Sequence, residues 1–192
     1  MANKDIPNIL TFSRIGIIPF LIASFYLEGQ LYHWVAAILF LLASITDFFD
    51  GYLARTMKVQ SSLGRVFDTI ADKLLVVSAI LMLVHFREIG KYDIFPVLAI
   101  VCREILISGL REFLAGINVP VHVAPLAKVK AGVQMAAIVL LLWGVEGPNI
   151  VQVEQMTDIT FTVLLGRILL WVAAILSIVT GYSYLKAGLK HF

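Results

Sequence analysis

Asp47-Phe48-Phe49-Asp50-Gly51-Tyr52-Leu53-Ala54-Arg55, then eight residues, then Gly64-Arg65-Val66-Phe67-Asp68-Thr69-Ile70-Ala71-Asp72, is the stretch that decides this chain. Both pieces lie in otherwise apolar, helix-like sequence. An ionised side chain inside a bilayer costs about 2.5–3.5 kcal/mol on insertion scales. Four such groups together need something cationic. Hard divalent metal, which prefers oxygen ligands, is the simplest partner for a carboxylate cluster.

The rest of the chain makes the bilayer the right solvent. Of 192 residues, 60% are hydrophobic and only 15% charged, with a mean hydropathy of +0.92. That composition is far from a soluble globular protein and implies one integral membrane domain over residues 1–192. A net charge of +2 gives no reason to expect nucleic acid as a partner. The single cysteine, Cys102, excludes an internal disulfide and a cysteine-rich metal site, and reads as a small residue packed within a helix. The N-terminus lacks a signal-peptide cleavage pattern and reads as retained.

Six apolar spans are expected, at about Ile9–Leu27, His33–Tyr52, Val66–Phe86, Ile94–Phe113, Lys130–Trp143 and Phe161–Leu185. The fold class is therefore all-α with six transmembrane helices. A short interfacial segment, Asp5-Ile6-Pro7-Asn8-Ile9, leads into the first, with Asp5 or Asn8 as a helix cap. Lys4, Arg55, Lys58, Arg65, Arg111, Lys128, Lys186 and Lys190 fall on the side of the termini, against chiefly Arg87 and Lys91 opposite. The positive-inside rule then puts both termini and the acidic motif in the cytoplasm, in a multi-pass protein of the inner membrane. The connection from Gly144 to Thr160 reads as a loop.

Asp47 and Asp50 are three apart and Asp68 and Asp72 four apart, so each pair shares a helical face. If the second and third spans form an antiparallel pair, the four carboxylates converge. They would repel and take up protons unless metal intervened. Two divalent ions about 3.5–4 Å apart are the usual use of such a set in phosphoryl chemistry. Gly51 and Gly64 leave room for a ligand, and Arg55 offers a guanidinium fork for phosphate. A single such Asp is equally a cap or an ion-pair partner: Asp68 could cap the third span, and Ser61 or Ser62 a helix starting slightly earlier. An acidic-helix ion or metal transporter is the reading from another class. It predicts carboxylates near both membrane faces, whereas these cluster towards one.

The string Asp47-x2-Asp50-Gly51-x2-Ala54-Arg55-x8-Gly64-x3-Asp68-x3-Asp72 resembles the full signature of the CDP-alcohol phosphotransferase family. The resemblance implies transfer of a phosphatidyl or similar group from a CDP-linked donor to an acceptor hydroxyl, with release of CMP. It implies that Asp47, Asp50, Asp68 and Asp72 hold two Mg²⁺ or Mn²⁺ ions, with Asp72 also the general base. It implies that Gly51, Ala54, Arg55, Ser61 and Gly64 line the CDP part of the donor. Asn8-x2-Thr11-x2-Arg14 is similar to the family's lead-in and would bring Asn8 and Thr11 to the nucleotide. A homodimer is implied by the same resemblance.

The acceptor is read from the fourth span and the connection after it. Glu104, Ser108 and Arg111 share a face at i, i+4, i+7. Arg103, Arg111 and Lys128 can form a cationic phosphate pocket. Alternatively, Arg103–Glu104 is a structural ion pair, and Lys128 and Lys130 snorkel. The stretch is most similar to family members whose acceptor is sn-glycerol 3-phosphate and whose donor is CDP-diacylglycerol, although Ala127 and Ala131 stand where those members carry Gly and Thr. The product would be phosphatidylglycerophosphate, in phospholipid biosynthesis. Inositol phosphate is the alternative acceptor. Arg167 either pairs with a distant carboxylate or reaches the donor's lipid region. His33, His85, His122 and His191 lack ligand spacing.

Overall fold

A computed structural model describes residues 6–28, 31–57, 62–86, 89–117, 125–144, 151–153, 156–159 and 161–188; at 6–12, 47–57, 62–66, 68–69, 151–153, 156–159 and 187 the description is of the backbone. Among these residues the architecture is helical. The helices are α1 (Ile6–Ser24), α2 (Leu31–Met57), α3 (Ser62–His85), α4 (Ile94–Gly116), α5 (Pro125–Trp143) and α6 (Phe161–Gly188). Strands β1 (Val151–Val153) and β2 (Met156–Ile159) form a short antiparallel ribbon between α5 and α6. This ribbon replaces the expected plain loop. Val151 and Val153 alternate with Gln152 at strand spacing, and β-branched residues favour the pleated backbone.

The sequence expectations need four further corrections. The N-terminal lead-in is not a separate segment, because the helix is continuous from Ile6 to Ser24. Pro7 sits at its second position, where a missing N–H costs nothing. Asn8 is therefore inside α1 rather than at its cap; Asp5 lies outside the described residues. Asp68 is well inside α3, which opens at Ser62, so it caps nothing. The fifth helix starts at Pro125, five residues before the expected Lys130, because proline is pre-set for the first helical position. Cys102 is exposed on α4 rather than packed.

The chain divides into two compact units. The first comprises Met1–Glu88 with Leu142–Val145, the second Ile89–Leu141 with Glu146–Phe192. In the first unit α1 packs along both α2 and α3, which touch each other only briefly. Its buried seam is Arg14, Ile18, Leu21 and Phe25, at i, i+4, i+7 and i+11. The facing seams are Ala36, Phe40 and Ala43 on α2, and Leu75, Ala79 and Leu83 on α3. Small alanines let the helix axes approach. Stacked rings close the end remote from the acidic motif: Phe25 lies 5.4 Å from Phe86 and 6.0 Å from Tyr32. At the end of α5, the Leu142 carbonyl is 3.0 Å from His33 Nδ1. Gly144 follows with φ +42°, and a Cβ there would strike the His33 ring. Glycine satisfies both demands.

In the second unit α4 runs along α6. Asp93 ends a 3-10 turn (Lys91–Asp93) and precedes α4, yet its side chain does not cap the helix. It accepts hydrogen bonds from Gly90 N (2.8 Å), Arg167 Nε (2.5 Å) and Trp171 Nε1 (2.9 Å). Asp93 is 2% exposed, so the start of α4 is tied to α6 by a buried charge. Arg167 thus has the distant carboxylate that was one of its two readings. Gly166 lets α6 meet α5, since a Cβ there would lie 3.2 Å from the Leu141 backbone nitrogen.

Among the described residues, two helices are long and apolar enough to cross a membrane: Pro125–Trp143 and Phe161–Lys186. On α6, Ile168, Val172, Ile175 and Val179 form an exposed apolar stripe, while Leu170, Ala173, Ala174 and Ser177 are buried. A helix apolar on its outer face as well as its inner one belongs in lipid. The remaining helices carry charge: Asp72 and Lys73 in α3, Arg103 and Glu104 in the middle of α4.

Candidate active site

Backbone placement puts Asp47, Asp50, Gly51, Ala54 and Arg55 in α2, and Gly64, Asp68 and Asp72 in α3. Asn8 and Thr11 lie in the first turns of α1. The side chains of all these except Asp72 lie outside the described residues, as does Ser61 entirely. Asp72 is half-buried. It stands three residues before Leu75 and seven before Ala79, so it extends the buried seam of α3.

Arg14 faces this end of the first unit, and sequence reasoning gave it no role. Among the described residues it is the largest fully buried side chain, 0% exposed, on the α1 seam. Its level follows from the Phe25–Phe86 ring contact. At 1.5 Å per residue, Asp72 lies about 21 Å along α3 from Phe86, and Arg14 about 16 Å along α1 from Phe25. The two positions therefore differ by about 5 Å in level along the helices. The signal was in the sequence: an arginine at i where i+4, i+7 and i+11 are core residues.

The second unit holds the basic cluster. Arg103 Nη1 donates to Glu104 Oε1 at 3.1 Å, and its Nη2 to Thr180 Oγ1 at 3.2 Å. Lys130 Nζ bonds the same Glu104 oxygen. The guanidinium of Arg103 stands 5.8 Å from the Tyr184 ring centroid, and Gly181 makes room for its Cγ. Lys130 is 3% exposed. Arg111 and Lys128 are exposed. So the structure brings Arg103 together with Lys130, not with the expected Lys128. Helix phase decides this: two residues along α5 is a turn of about 200°. The ion-pair reading of Arg103–Glu104 and the pocket reading are compatible, because Glu104 sits between two cations.

A helical membrane protein with a spaced aspartate motif in one unit and a part-buried basic cluster in the other has the makings of an enzyme for anionic, lipid-linked substrates. The comparisons narrow the class. The CDP-alcohol phosphatidyltransferase family model matches residues 4–179, and the chain belongs to that family of enzymes. Among its relatives, a protein of Rickettsia felis is 47% identical over 190 residues, covering 99% of this chain and 98% of the relative. One of Cereibacter sphaeroides is 36% identical over 215 residues, covering 98% and 97%. One of Salmonella choleraesuis is 37% identical over 187 residues, covering 96% and 94%. Each of these relatives is named CDP-diacylglycerol--glycerol-3-phosphate 3-phosphatidyltransferase.

Proposed function

We propose that this chain transfers the phosphatidyl group of CDP-diacylglycerol to sn-glycerol 3-phosphate, giving phosphatidylglycerophosphate and CMP. The observation that carries the reading is full-length identity of 47% to a relative with that named activity. The complete aspartate motif and the pairing of the part-buried Arg103 with the buried Lys130 support it.

In this reading the six helices span the inner membrane with both termini and the motif on the cytoplasmic side, where the soluble acceptor is found. The acyl chains of the donor stay in lipid. Gly51, Ala54, Arg55, Ser61 and Gly64 receive the CDP part, with Asn8 and Thr11 beside it. Arg55 offsets diphosphate charge. Arg103 and Lys130 hold the acceptor's phosphate, and the exposed Arg111 and Lys128 draw it in. The acceptor oxygen attacks the phosphorus that bears diacylglycerol, its proton passes to Asp72, and the bond to CMP breaks.

The donor set of Asp47, Asp50, Asp68 and Asp72 consists of hard carboxylate oxygens, which fit Mg²⁺ or Mn²⁺. Such ions, when bound, neutralise the diphosphate and the charge that develops on phosphorus. Chain copies pair as homodimers in this reading, which cross-linking in membranes tests.

The experiment is CMP release by purified protein with CDP-diacylglycerol, Mg²⁺ and a panel of acceptors. Release with glycerol 3-phosphate is expected, and chelation should abolish it. No CMP with any acceptor would overturn the reading. Release with inositol phosphate but not glycerol 3-phosphate would overturn the choice of acceptor.

A further inference from the structure

A carboxylate is an odd neighbour for a phosphate pocket, because it repels the ligand. Glu104 stands in the middle of this one. Its Oε1 accepts from both Arg103 Nη1, at 3.1 Å, and Lys130 Nζ. The three side chains are 14%, 17% and 4% exposed for Arg103, Glu104 and Lys130. Two cations so buried repel one another, and without a shared anion each gains by turning towards water. With Glu104 between them the cluster carries a net charge of +1. It also keeps spare polar capacity. Arg103 Nε is buried without a hydrogen-bond partner among the described residues. Buried polar atoms are rarely left so unless something binds.

We propose that Glu104 is a positioning residue for the acceptor's phosphate. One shared oxygen holds Arg103 and Lys130 as a preformed two-armed clamp, and Thr180 steadies the Arg103 arm from α6. This rests on the function proposed above and adds a role that charge alone does not predict. Pure electrostatics makes Glu104 an obstacle, and its removal should then tighten binding of a dianion. Positioning makes its removal harmful, because both cations lose their fixed geometry. The charge count also disfavours acceptors that lack an anion, which leave the buried +1 uncompensated.

The test is the KM for glycerol 3-phosphate in Glu104→Gln, measured by CMP release. Glutamine keeps the size and one acceptor oxygen but loses the charge that binds two cations. A rise of roughly 10- to 100-fold is expected, the equivalent of one charge-assisted hydrogen bond. The KM for CDP-diacylglycerol should stay within about twofold, since in the function proposed above the clamp serves the acceptor alone. A second variant, Thr180→Val, keeps the carboxylate and the side-chain shape while freeing one arm. It should raise the same KM by roughly 3- to 10-fold, and it decides the matter if Glu104→Gln does not fold. An unchanged or lowered KM for glycerol 3-phosphate in either folded variant overturns the positioning role. So does an equal rise for both substrates. Parent protein without glycerol-3-phosphate-dependent CMP release overturns the proposed function and this role together; active parent with unaffected variants overturns this role alone.

Discussion

Replacing Asp93 by leucine removes a buried carboxylate and leaves its partners in place. Asp93 is 2% exposed and Arg167 22% exposed on their side chains. The substitution strips Arg167 Nε and Trp171 Nε1 of their acceptor, while Gly90 N, in a half-buried turn, can turn to water. Each buried donor left unsatisfied costs about 1–3 kcal/mol, and more when charged. Breaking a buried ion pair from one side costs about 3–5 kcal/mol. The two routes agree, and the second is the better guide because Arg167 keeps its charge. At about 2–4 °C per kcal/mol for a chain of this size, Tm should fall by about 6–20 °C. Thermal unfolding of detergent-solubilised protein, followed by the fluorescence of Trp171 and its neighbours, reads this out. The sharper comparison is the double variant Asp93→Leu/Arg167→Leu. Removing both partners costs less than removing one, so it should recover at least half of the loss. A single-variant fall below about 2 °C, equivalent to less than about 1 kcal/mol, would refute the clasp. A double variant no more stable than the single would do the same.

Three other outcomes follow from the first unit. Asp72→Asn should cut CMP release by at least about 100-fold, the lower range for a general base, with the unfolding midpoint unchanged; normal turnover would remove Asp72 as the base. Arg14→Met removes a buried cation from the α1 seam, about 5 Å from the level of Asp72 along the helices. Mg²⁺ should then raise Tm more in the variant than in the parent, and an equal rise would place Arg14 away from the carboxylates. Gly144→Ala must hold a side chain at φ +42° against the His33 ring. A cost of about 1–2 kcal/mol from the backbone alone lowers Tm by about 2–8 °C, and no shift would mean that the turn can be rebuilt.

Much of the chain was legible because its signals are local. Apolar run length and punctuation located the helices, and errors gathered at their ends, where Pro7 and Pro125 start helices earlier than hydropathy alone suggests. The ribbon at Val151–Ile159 was missed because seven strand residues carry a weak pattern beside six apolar helices. The aspartate motif was legible for another reason. Its eight specified residues over 26 positions report chemistry, whatever packs around them.

What the sequence by itself determined is therefore the class of element, the solvent and the chemical alphabet: helices, lipid, carboxylates with a basic stretch to follow. Hydropathy and spacing are properties of neighbours along the chain, so they survive without a fold. Only the tertiary structure decided which charge meets which. Arg167 finds Asp93 across 74 positions. Lys130 rather than Lys128 meets Glu104 because helix phase and packing choose between them. Each is a long-range pairing in a low-dielectric interior, where leaving a charge unpaired costs several kcal/mol. That cost selects the partner, and it acts only when the helices are packed.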